Sequence, residues 1–265
     1  MKVSLIQFKK AGKRYHFKPD GLELNINDQV VVETIKGLEI GTVVDFADVE
    51  EKDLFSDLKP VIRVATEEDL LDKQQNNNDV LEIVVTTKDL VKKHNLEMSI
   101  LDAEYTLDRK KLLIYFEAES RIDFRDLVKD LSTIYSTRIE LRQVGSRDGA
   151  KLVGGIGPCG LILCCTTFLG DFETITIRMA KNQNMSLNPS KISGICDKLL
   201  CCIKYENEAY THLKKVMPDI GDKVKYEGNV YDIKDINLLR ERVLVFIGDD
   251  HERRWLKKGE YERVK

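Results

Sequence analysis

The sequence predicts an α+β protein. It has a small N-terminal β unit, a central antiparallel sheet with helices, a cysteine-rich segment, and a small C-terminal β-barrel-like unit. Three observations predict this. Short valine-containing runs punctuated by glycine open and close the chain. Helical-period stretches surround alternating strands in the middle. All six cysteines fall between residues 159 and 202. The segments divide as 1–65, 66–144, 145–215 and 216–265.

VSLIQF (3–8), QVVVE (29–33) and residues 39–46 read as strands, with Gly12, Gly21, Gly37 and Gly41 at hairpin turns. Thr66 caps a helix whose first turn holds Glu67, Glu68 and Asp69, where the helix dipole favours acids. The helix runs to about His94. Its middle, KQQNNND, has no apolar residue and is expected in solvent, with the asparagines as a point of breakage; Val80, Leu81, Val84, Leu90 and Val91 are its expected buried stripe. MSILDAEYTL and KLLIYFEAE form two strands about a turn at Asp108–Arg109. Asp123 opens an amphipathic helix with Phe124, Leu127, Val128, Leu131 and Tyr135 on one face, and TRIELRQV (137–144) alternates as a strand. This order resembles most of a split β-α-β sandwich, with helices on one face of an antiparallel sheet. After Met217, PDIGDKVKYEGNVYDIKDINLLRERVLVFI echoes NINDQVVVETIKGLEIGTVVDF near the start, which suggests two small barrels flanking a middle domain.

The 265 residues carry 42 Lys and Arg against 45 Asp and Glu, a net charge of −3. The whole-chain basic footprint of a dedicated nucleic-acid binder is absent. The start, MKVSLIQFKKAGKRYHF, lacks an apolar core followed by a small-residue cleavage site, and no stretch has the length of a bilayer span. A cytoplasmic protein without membrane insertion is expected. Its thiols are then reduced by default, and a cysteine cluster there points to metal or redox chemistry before disulfides.

The cysteines follow a repeated pattern. GPCGLILCC (157–165) and GICDKLLCC (194–202) both read C-x4-C-C. Residues five apart on one helix diverge by about 140°, so Cys159 and Cys164 do not share a site on a continuous helix. A glycine-flanked loop carrying Cys159, turned back over a helix start near Cys164, resolves this. Neighbouring cysteines diverge by about 100° on a helix, so one of each pair faces a site and the other the core or a second site. Thiolates select zinc, copper(I) or an iron–sulfur cluster. Structural zinc accepts x4 spacing at the edge of its range, and clusters tolerate varied spacing. The apolar flanks Ile156, Leu161, Ile162, Leu163, Ile195, Leu199 and Leu200 suit a shielded pocket. Buried structural thiols and a thiol redox switch are the alternatives.

Other signals weigh less. Gly155 to Gly160 formally matches G-x-G-x-x-G, but a proline and a cysteine interrupt it and no strand directly precedes it. The pairs Asp102/Glu104 and Glu117/Glu119 share strand faces and read as a solvated outer surface. His16, His94, His212 and His251 are scattered, with His212 nearest the cysteines as a minor candidate ligand. No acid, base and nucleophile converge outside the thiols, so the protein is not expected to be an enzyme.

ELRQVGSRDGAKLVGGIGPCGLILCCTTFLGDFE and IRMAKNQNMSLNPSKISGICDKLLCCIKYE, with RVATEEDLL, DAEYTLDRKKLLIYFEAESRIDFRDLVKDL and FKKAGKRYHF upstream, closely resemble the RicT (YaaT) family. These are stage-zero sporulation and competence regulators of Firmicutes, with a domain named after a yeast polymerase suppressor. The resemblance fades after about residue 225. It implies assembly with two small helical proteins, RicA (YmcA)-like and RicF (YlbF)-like. It further implies a 4Fe-4S cluster, and a role as specificity factor for RNase Y in mRNA maturation, with effects on sporulation, competence and biofilm formation. The candidate ligands it implies are Cys159, Cys164, Cys165, Cys196, Cys201 and Cys202, some of them replaceable by partner residues. Leu161 stands where the family pattern has a basic residue, and Asp197 where it has a small one. The alternative is a zinc-stabilised RNA- or protein-binding scaffold without a redox role.

Overall fold

Alternation at the N-terminus builds a five-stranded sheet of antiparallel pairs, ordered β2-β1-β4-β3-β5. Its strands are β1 (Lys2–Gln7), β2 (Arg14–Phe17), β3 (Gln29–Glu33), β4 (Leu38–Asp48) and β5 (Val61–Val64). The computed structural model describes residues 2–49, 58–248 and 251–264. β2 and β5 escape the sequence reading because only Phe17 and Val61 of their residues turn inward. Ile6, Phe17, Val30, Val32, Val43 and Val61 close the core. Gly41 is not at a turn. It lies inside β4, where an added Cβ would stand 2.3 Å from Ile6 Cγ2.

Helix α1 (Glu67–Lys93) begins with a reciprocal capping box between Thr66 and Asp69. Arg63 pairs with the same Asp69 carboxylate and, with the Thr66 hydrogen bonds, holds it well below the usual carboxylate range. The helix continues through the asparagines without a break, and Asn76 is buried rather than solvated. Its amide donates to Thr106 O at 3.4 Å and its Oδ1 accepts from Arg109 Nε at 2.6 Å. Leu81 is 78% exposed, not core; the inward stripe uses Ile83 and Thr87, whose hydroxyl donates to Ile83 O.

β6 (Ser99–Tyr105) and β7 (Lys111–Glu117) form the expected antiparallel hairpin. Helix α2 (Arg125–Tyr135) then carries the chain back, so β8 (Arg138–Gln143) pairs with β7 in parallel. The central sheet is therefore mixed rather than antiparallel, as a helical crossover requires. Ile83 and Val91 of α1, Leu127 and Leu131 of α2, and Ile100, Leu112, Ile114 and Phe116 of the strands share one core on one sheet face. The other face is covered too. Lys36 of the N-terminal sheet lies 3.0 Å from Glu104, Lys9 4.0 Å from Asp102, and Leu107 N donates to Leu38 O. Asp102/Glu104 is thus a half-buried pair that meets lysines of the N-terminal sheet, not a solvated outer one. Burial opposes charge on Glu104, yet Lys36 and Lys9 outweigh it and lower its pKa. Burial lifts Asp102, and burial with Glu104 pushes Tyr115 up to about 12. Glu119 lies past the end of β7 and is exposed.

By contact density the chain divides into Met1–Phe172 with Gly194–Lys198, and Glu173–Ser193 with Leu199–Lys265. The second unit holds helices α5 (Ile177–Asn182), α6 (Pro189–Ile192) and α7 (Cys201–Val216), numbered after α3 (Ser146–Val153) and α4 (Cys164–Thr167) of the first. Two three-stranded antiparallel sheets follow. One orders β10 (Asn229–Asp232), β9 (Lys223–Tyr226) and β14 (Glu262–Arg263); the other β11 (Asp235–Asn237), β12 (Arg242–Ile247) and β13 (Glu252–Lys257). They enclose Met217, Val224, Ile233, Leu238, Val243, Val245 and Leu256. Neither this unit nor the N-terminal sheet closes into a barrel among the described residues. The sequence echo nevertheless holds at atomic detail. Asn25 N donates to Asp28 Oδ2 at 2.7 Å, and Asp219 N to Asp222 Oδ2 at 2.9 Å. Asn27 and Gly221 both take positive φ, and each donates its N–H to a carbonyl, Val43 O in β4 and Ile233 O just after β10.

Candidate metal centre: the paired cysteine hairpins

Both C-x4-C-C segments fold the same way, residue for residue, at an offset of 37 positions. In the first, Ile156 bridges Ile162, Gly157 N donates to Leu161 O at 2.8 Å, and Gly160 N to Gly157 O at 2.9 Å. In the second, Ser193 bridges Leu199, Gly194 N donates to Lys198 O at 2.9 Å, and Asp197 N to Gly194 O at 3.0 Å. Each is a tight hairpin whose turn ends in a left-handed residue, Gly160 at φ 81° or Asp197 at φ 58°. Cys159 and Cys196 sit beside those residues at the apex. Leu163 (φ −52°, ψ 130°) and Leu200 (φ −55°, ψ 129°) then turn each chain into a helix that begins at Cys164 or Cys201. The expected loop folded back over a helix start is therefore what forms.

Cys159 is exposed at its apex, Cys165 is 6% exposed, and Cys164, Cys196, Cys201 and Cys202 are half-buried; all six are thiols rather than disulfides. Adjacent cysteines do diverge at α4, where Cys165 turns inward and Cys164 does not. Cys159, Cys164, Cys165 and Cys196 belong to the first unit, and Cys201 and Cys202 to the second. Within the first, Gly155 faces Ile195 Cδ1 and Gly145 faces Lys198 Nζ, so the apex of the second hairpin packs beside the first. In the second, Ile203 packs with Ala180, Ile192, Leu199 and Leu200.

The donor chemistry suits a thiophilic metal. The convergence does not: no group of three or more His, Cys, Asp or Glu side chains gathers to hold a metal among the described residues. His212 is exposed on α7 and joins no such group. Most of the expected apolar flanks shield no pocket among the described residues, although Leu199 and Leu200 do pack inward. Ile156 (66%), Leu161 (70%), Ile162 (64%) and Ile195 (52%) are exposed, because the hairpins project their flanks outward.

Two family descriptions match the chain: "PSP1 C-terminal conserved region" over residues 59–144, and "PSP1-like protein, third domain" over 174–217. The Bacillus subtilis Stage 0 sporulation protein YaaT is 50% identical over 240 residues, which cover 90% of this chain and 87% of that protein. The chain belongs to the YaaT family. A Schizosaccharomyces pombe protein is 32% identical over 51% of the chain but only 22% of its own length. Saccharomyces cerevisiae Protein PSP1 is 46% identical over 26% of the chain and 8% of its own length. No solved structure matches. The first family match spans β5 to β8, which places the mixed sheet and its two helices in the part described as the PSP1 C-terminal conserved region. In this YaaT-family chain the second match begins within one residue of the start of the second unit. Sequence reasoning missed that Gly194–Lys198 returns to the first unit. The apolar Ile195 between a glycine and a cysteine is the one local sign of it.

Proposed function

We propose that this chain is a non-catalytic regulatory subunit in sporulation control, acting in the cytoplasm within a RicA–RicF–RicT-like complex. In that complex it serves as a specificity factor for RNase Y in mRNA maturation, with competence and biofilm formation downstream, and its cysteine hairpins contribute ligands to a 4Fe-4S cluster. The sporulation reading rests on 50% identity to a Stage 0 sporulation protein across nearly the whole chain. The cluster reading rests on one observation, the duplicated hairpin that presents a thiol at its apex and another at a helix start. Thiolates are the right donors. Because no three of them gather among the described residues, partner subunits would complete the ligand set. When bound, a cluster supplies redox sensitivity and cross-links the segments that ligate it. The exposed apolar flanks would then be covered by the partners that close the site.

The test is anaerobic purification of the chain alone and with RicA-like and RicF-like partners, followed by visible absorption and iron, sulfide and zinc analysis. Colour with equal iron and sulfide only in the complex is the expected result. Cys164→Ser and Cys201→Ser should lower both bound iron and assembly. Unchanged iron and assembly in both variants refute the cluster reading. Stoichiometric zinc in colourless protein replaces it with a structural scaffold.

A further inference from the structure

The outer face of the β11-β12-β13 sheet has no role in the reading above, and it has a distinct chemistry. Strand pairing sets the face. Val243, Val245 and Leu256 point into the core, so their neighbours Arg242, Leu244 and Phe246 on β12, and Arg253, Trp255 and Lys257 on β13, point away from it. Cross-strand register places Arg242 opposite Lys257, Leu244 opposite Trp255, and Phe246 opposite Arg253. Three cations thus frame two aromatic rings and a leucine on one pleated surface.

Arg253, Trp255 and Lys257 are exposed, and Arg242, Leu244 and Phe246 are half-buried. Trp255, the only tryptophan of the chain, is 42% exposed. The Arg253 guanidinium lies 5.9 Å from the Phe246 ring centroid, and His251 stands against the same ring at 6.0 Å. No salt bridge joins the side chain of Arg242, Arg253 or Lys257 to a carboxylate among the described residues; Glu260 Oε2 accepts only the Lys257 backbone N–H, at 2.7 Å. Arg242 Nε is buried there without a hydrogen-bond partner. Asp235, across from Leu244 on β11, is the one acid of this face among the described residues.

We infer that this sheet face binds single-stranded RNA. Unpaired cations beside flat aromatic rings on an antiparallel sheet suit a strand whose phosphates take the cations while its bases stack on the rings. A merely acidic partner would use the charges but leave Trp255 and Phe246 without a function. Duplex RNA, with its bases stacked internally, would not reach the rings. The near-neutral chain conceals this face, because its cations are balanced by acids elsewhere. The inference uses no cysteine and stands whether or not a metal is bound.

The single tryptophan makes the test direct. The full chain is titrated with a twelve-residue oligouridylate while Trp255 emission is followed. Duplex RNA, polyglutamate and anionic phosphatidylserine vesicles serve as competitors, and fluorescence anisotropy of 5′-labelled RNA gives the affinity of each variant. Single-stranded RNA should quench the tryptophan and the others should not. Trp255→Leu should weaken binding at least fivefold and Trp255→Phe should restore it, since a base–aromatic stack is lost and regained. Arg253→Ala with Lys257→Ala should weaken binding about tenfold and flatten the slope of log K against log salt by about 1.4, two phosphate contacts at ~0.7 each. Equal quenching by polyglutamate or vesicles overturns the inference in favour of a general anionic partner. RNA binding that neither quenches Trp255 nor responds to these variants places the RNA elsewhere and overturns it too, as does absence of binding.

Discussion

Lys36 sits among Glu39, Glu104 and Tyr115, where the N-terminal sheet meets the central one. Burial works against its charge, but Glu104 and Glu39 outweigh that and raise its pKa, while Glu104 is lowered in return. The signs give a pH window. A lowered carboxylate contributes stability above its unfolded pKa of about 4.3 and loses it as pH falls; a raised lysine loses its contribution only above about 10.4. Lys36→Met should therefore destabilise the first unit by about 2 kcal/mol at pH 7, because half-buried Glu104 beside Tyr115 loses its ion pair with Lys36. Urea unfolding at pH 7 and pH 3 checks this, and the gap between variant and parent should shrink at pH 3. A gap that is the same at both pH values would assign the loss to packing instead. At this scale legibility follows sequence distance. Thr66 and Asp69 announce their cap because both partners lie within one turn. Asn76 gave no sign of burial, because its partners Thr106 and Arg109 lie 30 and 33 residues away.

Among the elements, the cysteine hairpins were the most legible. Their C-x4-C-C spacing excludes a single helix, and glycine marks the turn. The second hairpin places Asp197 in the left-handed conformation that Gly160 adopts in the first. Glycine enters that region freely, and other residues do so at a cost of roughly 1–2 kcal/mol. Gly160→Ala should loosen the first hairpin, and Asp197→Gly should leave the second as tight or tighter. The rate at which a thiol reagent modifies Cys159 or Cys196 reports each turn. Faster modification of Cys159 in Gly160→Ala and no acceleration of Cys196 in Asp197→Gly is the expected pair of results. If both variants accelerate, the aspartate side chain itself holds its turn. The parallel pairing of β8 was not legible, since alternation fixes which residues face inward but not the direction in which a strand is entered. The outer face of β12 and β13 was hidden for another reason: ERRWLK reads as a charged run rather than a strand, so the alternation that puts Arg253, Trp255 and Lys257 on one side goes unused.

For the molecule as a whole, balanced charge and scattered histidines point to no function by themselves, and no helix among the described residues is long and apolar enough to cross a membrane. The sequence also suggested segments laid end to end, and here the chain does something else. It leaves the first unit after Phe172, comes back for Gly194–Lys198, and leaves again after Lys198. Cysteines of one short motif are thereby shared out, Cys196 to one unit and Cys201 and Cys202 to the other. End-to-end domains part at a single cut. A protein laced in this way should not. A cleavage engineered between Phe172 and Glu173 leaves the C-terminal piece still carrying Gly194–Lys198, with Ile195 against Gly155 and Lys198 near Gly145. The two pieces should travel together in gel filtration and separate only on denaturation, whereas separate elution of the native pieces would show the lacing too weak to hold. A nick there would sever the covalent chain yet leave Gly194–Lys198, carried by the C-terminal piece, in its place within the first unit.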